Sequence, residues 1–328
     1  MGDRAHAAGV LGAWRNLSTV RYGPFHAQLV VIRRCNLACG YCNEFDDHSP
    51  PIPTETLKRR IDKLAELGTL AIEFTGGEPL MHPDLFEIIA YATRKGFVQR
   101  KMITNAYLMS PDKVQALNRA GLTHMQISLD GAKPNDVTVK VLKPLKKKLA
   151  HVHEHADFIV TLSAVIGAAP PAEVREVIEF AEQHEFRRRV LLIHDGDGQF
   201  KLSAEEHDLY REVEAKLGAK WRQAGNYRSR LLEEGRAPFK CRAGSRYLYI
   251  DEFGKVRWCS QTREVWGKDL MDYGPQDLRE QFYTKKLCNE HCTVGCVRNN
   301  SKMDEWRRQH MDPPIQTRTG ARKLPVIA

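Results

Sequence analysis

From Gln28 to His194 the chain alternates short apolar runs with amphipathic stretches. Six runs of four to eight residues, rich in Val, Ile, Leu or Phe, predict strands at residues 28–33, 70–74, 98–103, 124–129, 158–165 and 190–193. Between them the apolar positions take helical spacing. Leu57, Ile61, Leu64 and Leu67 line one helix face, and Val174, Val177, Ile178 and Ala181 line another that opens after Pro170-Pro171. Strands alternating with helices predict parallel βαβ units with right-handed crossovers. The fold class is therefore α/β, a partial (β/α)6 TIM-like barrel with its chemistry at the C-terminal ends of the strands.

After Asp195-Gly196-Asp197-Gly198 the pattern changes to a charged helical stretch over residues 203–234, without strand signal. Further on, residues 246–250 and 255–258 predict a hairpin around Glu252-Phe253-Gly254, and residues 276–286 a helix. The expected organisation is an N-terminal extension (1–27), a barrel (28–200), a helical connector (201–237), a small cysteine-bearing domain (238–300) and a basic tail (301–328), expected to be poorly ordered. No internal repeat or low-complexity tract is present.

Composition narrows the function classes. In 328 residues, 42% hydrophobic and 28% charged is a globular balance, which excludes disorder, collagen and coiled coil as the main architecture. The longest nearly apolar stretch, residues 158–171, is interrupted by Thr161 and Ser163 and falls short of the roughly 18 residues a spanning helix needs. The first 25 residues lack an apolar core and a cleavage site, so no membrane span and a cytoplasmic location are expected. The net charge of +9 is dispersed. Its local runs, Arg187-Arg188-Arg189 and Lys146-Lys147-Lys148, read as solvated helix faces, which gives a nucleic-acid partner little support.

Eight cysteines are too few for a disulfide scaffold and fit ligands or catalytic groups better. They segregate. Cys35, Cys39 and Cys42 form one group, Cys241, Cys259, Cys288, Cys292 and Cys296 a second, and none of the 198 residues between Cys42 and Cys241 is a cysteine. The C-x3-C-x2-C loop follows the first strand and brings three thiolates together while leaving one metal position open. Such a set suits zinc completed by an outside histidine such as His48, or three irons of a 4Fe-4S cluster whose fourth iron stays free.

With the aromatic Tyr41 before its third cysteine, this loop resembles the signature of the radical S-adenosylmethionine (radical SAM) superfamily. Thr75-Gly76-Gly77-Glu78-Pro79, after the second strand, resembles the family's GGEP segment. The resemblance implies that Tyr41, Gly76, Gly77, Glu78 and Pro79 are cofactor-binding, the backbone and Glu78 taking the amino group of S-adenosylmethionine. Glycines permit the close approach, and a carboxylate matches an ammonium. Asn105, ending the third strand, and Ser128-Leu129-Asp130-Gly131, ending the fourth, resemble further cofactor contacts, with Asn105, Ser128 and Asp130 as the candidates. Asn105 and Asp130 could equally cap helices. His194 and Asp195, ending the sixth strand, are candidate catalytic residues facing substrate, or turn residues.

Cys241, twelve residues, Gly254, four residues and Cys259 resemble the opening of the SPASM and twitch auxiliary-cluster modules, and Cys292-Thr293-Val294-Gly295-Cys296 resembles their close. Five cysteines rather than seven favour the twitch form with one auxiliary 4Fe-4S cluster. Cys241, Cys259 and Cys296 are the expected ligands, with Cys292 or Cys288 as the fourth. The cysteine left over, Cys288 or Cys292, is either a catalytic thiol returning a hydrogen atom to a substrate radical or a buried packing residue. A zinc knuckle is the alternative. With two clusters bound by seven thiolates the holo chain is nearer about +6 than +9.

The resemblance implies reductive cleavage of S-adenosylmethionine to a 5′-deoxyadenosyl radical, fed by a flavodoxin- or ferredoxin-type electron donor, and hydrogen abstraction from substrate. The auxiliary cluster could accept an electron, making the net reaction an oxidation, or leave it a rearrangement or epimerisation. The expected substrate is a small polar metabolite of the sugar or cyclitol kind, because about 27 residues before the first strand leave no room for a peptide-recognition domain. A maturase acting on a ribosomally made peptide is the alternative enzyme, and a zinc-stabilised binding protein the alternative without catalysis.

Overall fold

The computed structural model of the chain describes residues 21–193, 202–216 and 227–304. Six strands, β1 (His26–Ile32), β2 (Ala71–Gly76), β3 (Gln99–Thr104), β4 (His124–Ser128), β5 (Ile159–Ile166) and β6 (Arg187–Leu192), alternate with helices α1 (Thr54–Glu66), α2 (Leu85–Arg94), α3 (Pro111–Ala120), α4 (Lys146–His155) and α5 (Pro171–Gln183). Neighbouring strands from β1 to β6 pair in parallel, which is the expected α/β wall. His194 and Asp195, the extension before residue 21 and most of the tail lie outside the described residues.

Each strand turns polar and apolar residues to opposite faces, as the period of two requires. Leu29, Phe74, Met102, Ile127 and Leu162 are buried in the main apolar core. Gln28, Thr75, Gln126, Ser128 and Arg189 face a cavity on the other side. Helix ends follow ordinary chemistry: Ser110 caps α3 by accepting from Lys113 N, and Gly121 closes it at φ 82°.

The Arg187-Arg188-Arg189 run departs from expectation. It is strand, not a helix face, and alternation separates its members: Arg188 meets Glu182 of α5 at 2.7 Å, while Arg189 faces the cavity. Apolar pattern alone begins this strand at Val190 because three arginines carry no hydrophobic signal.

Helices α6 (Ala204–Lys216) and α7 (Tyr227–Glu234) occupy the described parts of the connector. The C-terminal hairpin forms as β7 (Tyr247–Ile250) and β8 (Lys255–Arg257), followed by the short β9 (Lys268–Asp269), α8 (Pro275–Tyr283) and α9 (Gly295–Lys302). It does not stand apart from the barrel sheet. β7 pairs in parallel with the free edge of β1, giving one nine-stranded sheet in the order β6-β5-β4-β3-β2-β1-β7-β8-β9. All four β7 residues are fully buried, and β1 covers one edge of the strand. Arg60 of α1 fastens the turn by donating to the carbonyls of Asp251 (3.4 Å) and Glu252 (3.0 Å) beside Gly254, whose φ is 84°.

Among the described residues no helix is long and apolar enough to cross a membrane. The two ends of the described chain meet at Arg246. Its guanidinium donates to Asp304 at 2.7 and 3.1 Å and to the carbonyls of Gly23 (2.7 Å) and Arg21 (2.9 Å), and both side chains of the ion pair are nearly fully buried. Removing one partner strands a buried charge. Arg246→Ala is expected to destabilise the chain by about 3–5 kcal/mol, read as a lower urea midpoint; an unchanged midpoint would show that the pair contributes nothing.

Candidate functional site

The C-terminal ends of β1 to β6 open onto a cavity of about 430 Å³. Its wall includes Cys35, Cys39, Tyr41 and Cys42 from the loop after β1, Gly76 and Gly77 after β2, Asn105 after β3, Ser128 of β4 and Cys296 from the C-terminal region.

Backbone contact between the first two strand ends sets the loop. Gly77 N donates to Ile32 O at 2.9 Å, and Glu78 N to Arg34 O at 3.0 Å. A Cβ on Gly76, whose φ is 141°, would lie 2.0 Å from Ile32 O, and one on Gly77 would lie 2.3 Å from both Arg33 O and Arg34 O. Only glycine allows this approach. The loop beyond it is held by Cys35 N donating to Asp46 O and Cys42 N donating to Cys39 O, at 2.9 and 3.1 Å.

Glu78 lies elsewhere than expected. It is fully buried, with Oε1 accepting from Leu80 N (3.0 Å) and Thr104 Oγ1 (2.7 Å) and Oε2 from Asn105 N (2.8 Å). Burial pushes its carboxyl up while these donors pull it back. A carboxylate so enclosed ties the end of β2 to the end of β3, instead of facing a ligand's ammonium. Pro79 is likewise buried, opening a short turn. Asn105, placed by Glu78, directs Nδ2 to Asn36 Oδ1 at 2.9 Å and towards Cys35 Sγ at 3.7 Å. It is no helix cap, since Ser110 caps the helix that follows.

Asp130 also sits behind the cavity wall, fully buried, and no helix opens there for it to cap. Its Oδ2 accepts from Tyr41 Oη and Thr138 Oγ1, each at 2.8 Å. Sequence reasoning missed the third member, Lys140, which donates to Tyr41 Oη at 2.8 Å and lines the cavity. Burial works against the Lys140 ammonium, but Tyr41 and Asp130 outweigh it and hold it above its ordinary range. Nothing in its lysine-rich neighbourhood marks it out. His48 is exposed beside Asp47.

Burial raises the Cys292 thiol, and Cys241, Cys259 and Cys288 raise it further. Asn289 joins their segments, accepting from Cys241 N and donating to Phe239 O. Cys296, expected among the ligands, lines the cavity, where Arg189, Glu73 and the Tyr247 hydroxyl act on it. Cys288 lies in the short turn Leu287–His291, which Cys292 closes, and α9 begins at Gly295, one residue before Cys296.

The radical SAM superfamily model matches residues 29–165, spanning the strand ends just described. Over these residues the chain is similar to the radical SAM superfamily. Over 165 residues it is 30% identical to the PqqA peptide cyclase of Bradyrhizobium diazoefficiens, covering 48% of this chain and 43% of that one. Over 105 residues it is 40% identical to the AdoMet-dependent heme synthase of Nitratidesulfovibrio vulgaris, covering 31% and 28%. The chain thus spans less than half the length of these relatives. Streptococcus suis SuiB bound to its precursor peptide SuiA shares the fold, with a TM-score of 0.61 at 15% identity over 84% of this chain and 69% of that one. These relatives overturn the expectation of a sugar or cyclitol substrate.

A radical SAM enzyme uses S-adenosylmethionine and a 4Fe-4S cluster, and the residues here fit both. Cys35, Cys39 and Cys42 offer three thiols at one cavity, with Leu37 N (3.4 Å) directed at Cys35 Sγ. Among the described residues no three such donors stand close enough for a single ion, a spread that a cuboidal cluster, with its irons at separate corners, tolerates. If the Gly77 contact sets this loop, Gly77→Ala must displace it. Anaerobically reconstituted Gly77→Ala is expected to lose the iron of the first site while keeping other iron; full iron content would show that the loop gives way without losing its geometry.

Proposed function

We propose that this chain is the catalytic part of a radical SAM enzyme that modifies a peptide. The observation that carries the reading is the similarity over 165 residues to a PqqA peptide cyclase. When bound, S-adenosylmethionine and the cluster supply a 5′-deoxyadenosyl radical that takes a hydrogen atom from unactivated carbon. The chain's own part is to hold, orient and exclude water.

In this reading Cys35, Cys39 and Cys42 hold the cluster. The backbone at Gly76 and Gly77 receives the amino group of S-adenosylmethionine, and Lys140, a cavity-facing ammonium, matches its carboxylate. Asn105 and Ser128 line the rest of the cofactor's place. Glu78 and Asp130 act through their neighbours as positioning residues, Glu78 on Asn105 and Asp130 on Tyr41. Cys241, Cys259, Cys288 and Cys292 would hold one auxiliary 4Fe-4S cluster, in a C-terminal region whose hairpin continues the barrel sheet. Lys286 lies fully buried beside Cys241 and Cys288, its ammonium pushed down to about 8 by burial, where a positive charge offsets clustered thiolates. A one-electron donor of the flavodoxin or ferredoxin class supplies the reducing equivalent. The similarity to an AdoMet-dependent heme synthase supports a tetrapyrrole as the second reading.

The test is to incubate the anaerobically reconstituted chain with S-adenosylmethionine, dithionite and the precursor-like peptides encoded near its gene. The expected result is a peptide whose mass changes together with 5′-deoxyadenosine formation. Unchanged peptides, with an iron porphyrin precursor consumed instead, would overturn the proposal in favour of the second reading.

A further inference from the structure

The arginine run of β6 divides its charge between two surroundings. Arg188 is paired with Glu182 at 2.7 Å, whereas Arg189 lines the cavity and donates from Nη1 to Oε1 of Gln126, a neutral cavity residue of β4, at 2.8 Å. A second guanidinium converges on the same place. Arg228 of α7 is only 9% exposed; its Nη2 donates to Thr293 O at 3.3 Å, and its Nε has no hydrogen-bond partner. Among the described residues neither guanidinium forms an ion pair. The two meet at Gly295, another cavity residue: a Cβ there would lie 2.8 Å from Arg189 Nη2 and 2.7 Å from Arg228 Nη2. A side chain at 295 would fill the space before both; glycine leaves it clear.

The helix adds to this charge. α9 begins at Gly295, its cap residue Val294 makes no side-chain hydrogen bond, and its first turn holds no acidic residue, so the positive end of the helix faces the same spot. Like charges gathered away from water repel, and their burial costs free energy unless an anion joins them. Two other anions of the site have cations of their own. Lys286 lies beside Cys241 and Cys288, and Lys140, held against Tyr41, matches the carboxylate of S-adenosylmethionine in the reading above. The wall near Arg189, with Gln28, Gln126 and Ser128, is neutral and rich in hydrogen-bonding groups.

We propose that Arg189, with Arg228 behind it, is a recognition site for a substrate carboxylate, and that the peptide presents an aspartate or glutamate side chain to it. The proposal rests on the peptide reading, since carboxylates are the anionic groups that an unmodified peptide offers. With Nη1 of Arg189 held by Gln126, its Nε and Nη2 remain for the two oxygens of a carboxylate, the pairing that a planar guanidinium makes best. The consequence is positional. An acidic side chain anchored at the end of β6 fixes the register of the peptide, and so decides which neighbouring carbon is brought to the place of hydrogen abstraction. Arg189 is thereby a specificity-determining residue, and Arg228 a positioning residue that acts through the Thr293–Gly295 segment.

The test titrates the anaerobically reconstituted full chain, saturated with S-adenosylmethionine, with an acetylated and amidated alanine-glutamate-alanine tripeptide and with its glutamine counterpart. Calorimetry is expected to show the glutamate peptide bound roughly tenfold more tightly. The preference should vanish in Arg189→Gln and survive in part in Arg189→Lys, which keeps the charge without the fork, both at unchanged iron content. Equal binding of the two tripeptides, a preference that persists in Arg189→Gln, or no Arg189-dependent binding of any carboxylate would overturn the proposal. So would weaker S-adenosylmethionine binding in Arg189→Gln, which would assign the guanidinium to the cofactor's carboxylate. Loss of iron, or an altered electron paramagnetic resonance signal of the second cluster, in both variants would make it the cluster's counter-charge and overturn the proposal equally. The peptide reading fails separately. An iron porphyrin with propionate side chains, bound in an Arg189-dependent way where neither tripeptide binds, would overturn that reading, and the acidic peptide with it, but not the carboxylate site.

Discussion

Close backbone contact between the exits of β1 and β2 is the constraint on which the rest of the site depends. Gly76 and Gly77 let two strand ends approach to where any side chain would strike a carbonyl, and Gly77 N and Glu78 N complete the contact as hydrogen bonds. The cysteine loop after β1 is thereby laid over the end of β2. Glu78 passes the placement on: enclosed among Leu80, Thr104 and Asn105, it fixes the end of β3, and Asn105 reaches back towards Cys35. A buried carboxylate with three donors is stable where an unpaired one would not be. The short GGEP segment therefore organises three strand ends at once.

The C-terminal region is built into this arrangement. β7 covers the free edge of β1, and its two tyrosines enter the barrel from that side. Tyr247 meets Gln28, and Tyr249 donates to Glu44 at 2.5 Å, two residues past Cys42. Arg263 supports Tyr249 at 3.1 Å and pairs with Glu252. The two cysteine groups, nearly two hundred residues apart in sequence, consequently flank strands of one sheet. Cys296 is the point where the second group reaches the cavity of the first.

What the sequence disclosed follows from how each feature is encoded. The first five strands announce themselves because one face of each packs against helices and is apolar, and the cysteine loop and GGEP segment are local strings. Features made by distant partners left no such mark. Lys140 acquires its meaning only from Tyr41 and Asp130, which the fold brings to it. Arg189 is one of three arginines in a strand whose polar face looks inward, so hydrophobic pattern placed it outside the strand. The parallel pairing of β7 with β1 cannot be read from the hairpin itself, because a hairpin specifies its own register and not its neighbour. The side on which Cys296 emerges depends on a helix beginning at Gly295, one residue before it. Glu78 shows the converse: the motif was legible, but the side chain's partners were not.

The central claim is that Cys35, Cys39 and Cys42 hold the cluster that cleaves S-adenosylmethionine, independently of the second cysteine group. The most direct measurement is 5′-deoxyadenosine formation by the anaerobically reconstituted chain with dithionite, in the wild type and in the variant with all three cysteines replaced by alanine. The account predicts 5′-deoxyadenosine from the wild type, and none from the variant although it retains iron at the second group. Formation by the variant at the wild-type rate would contradict it.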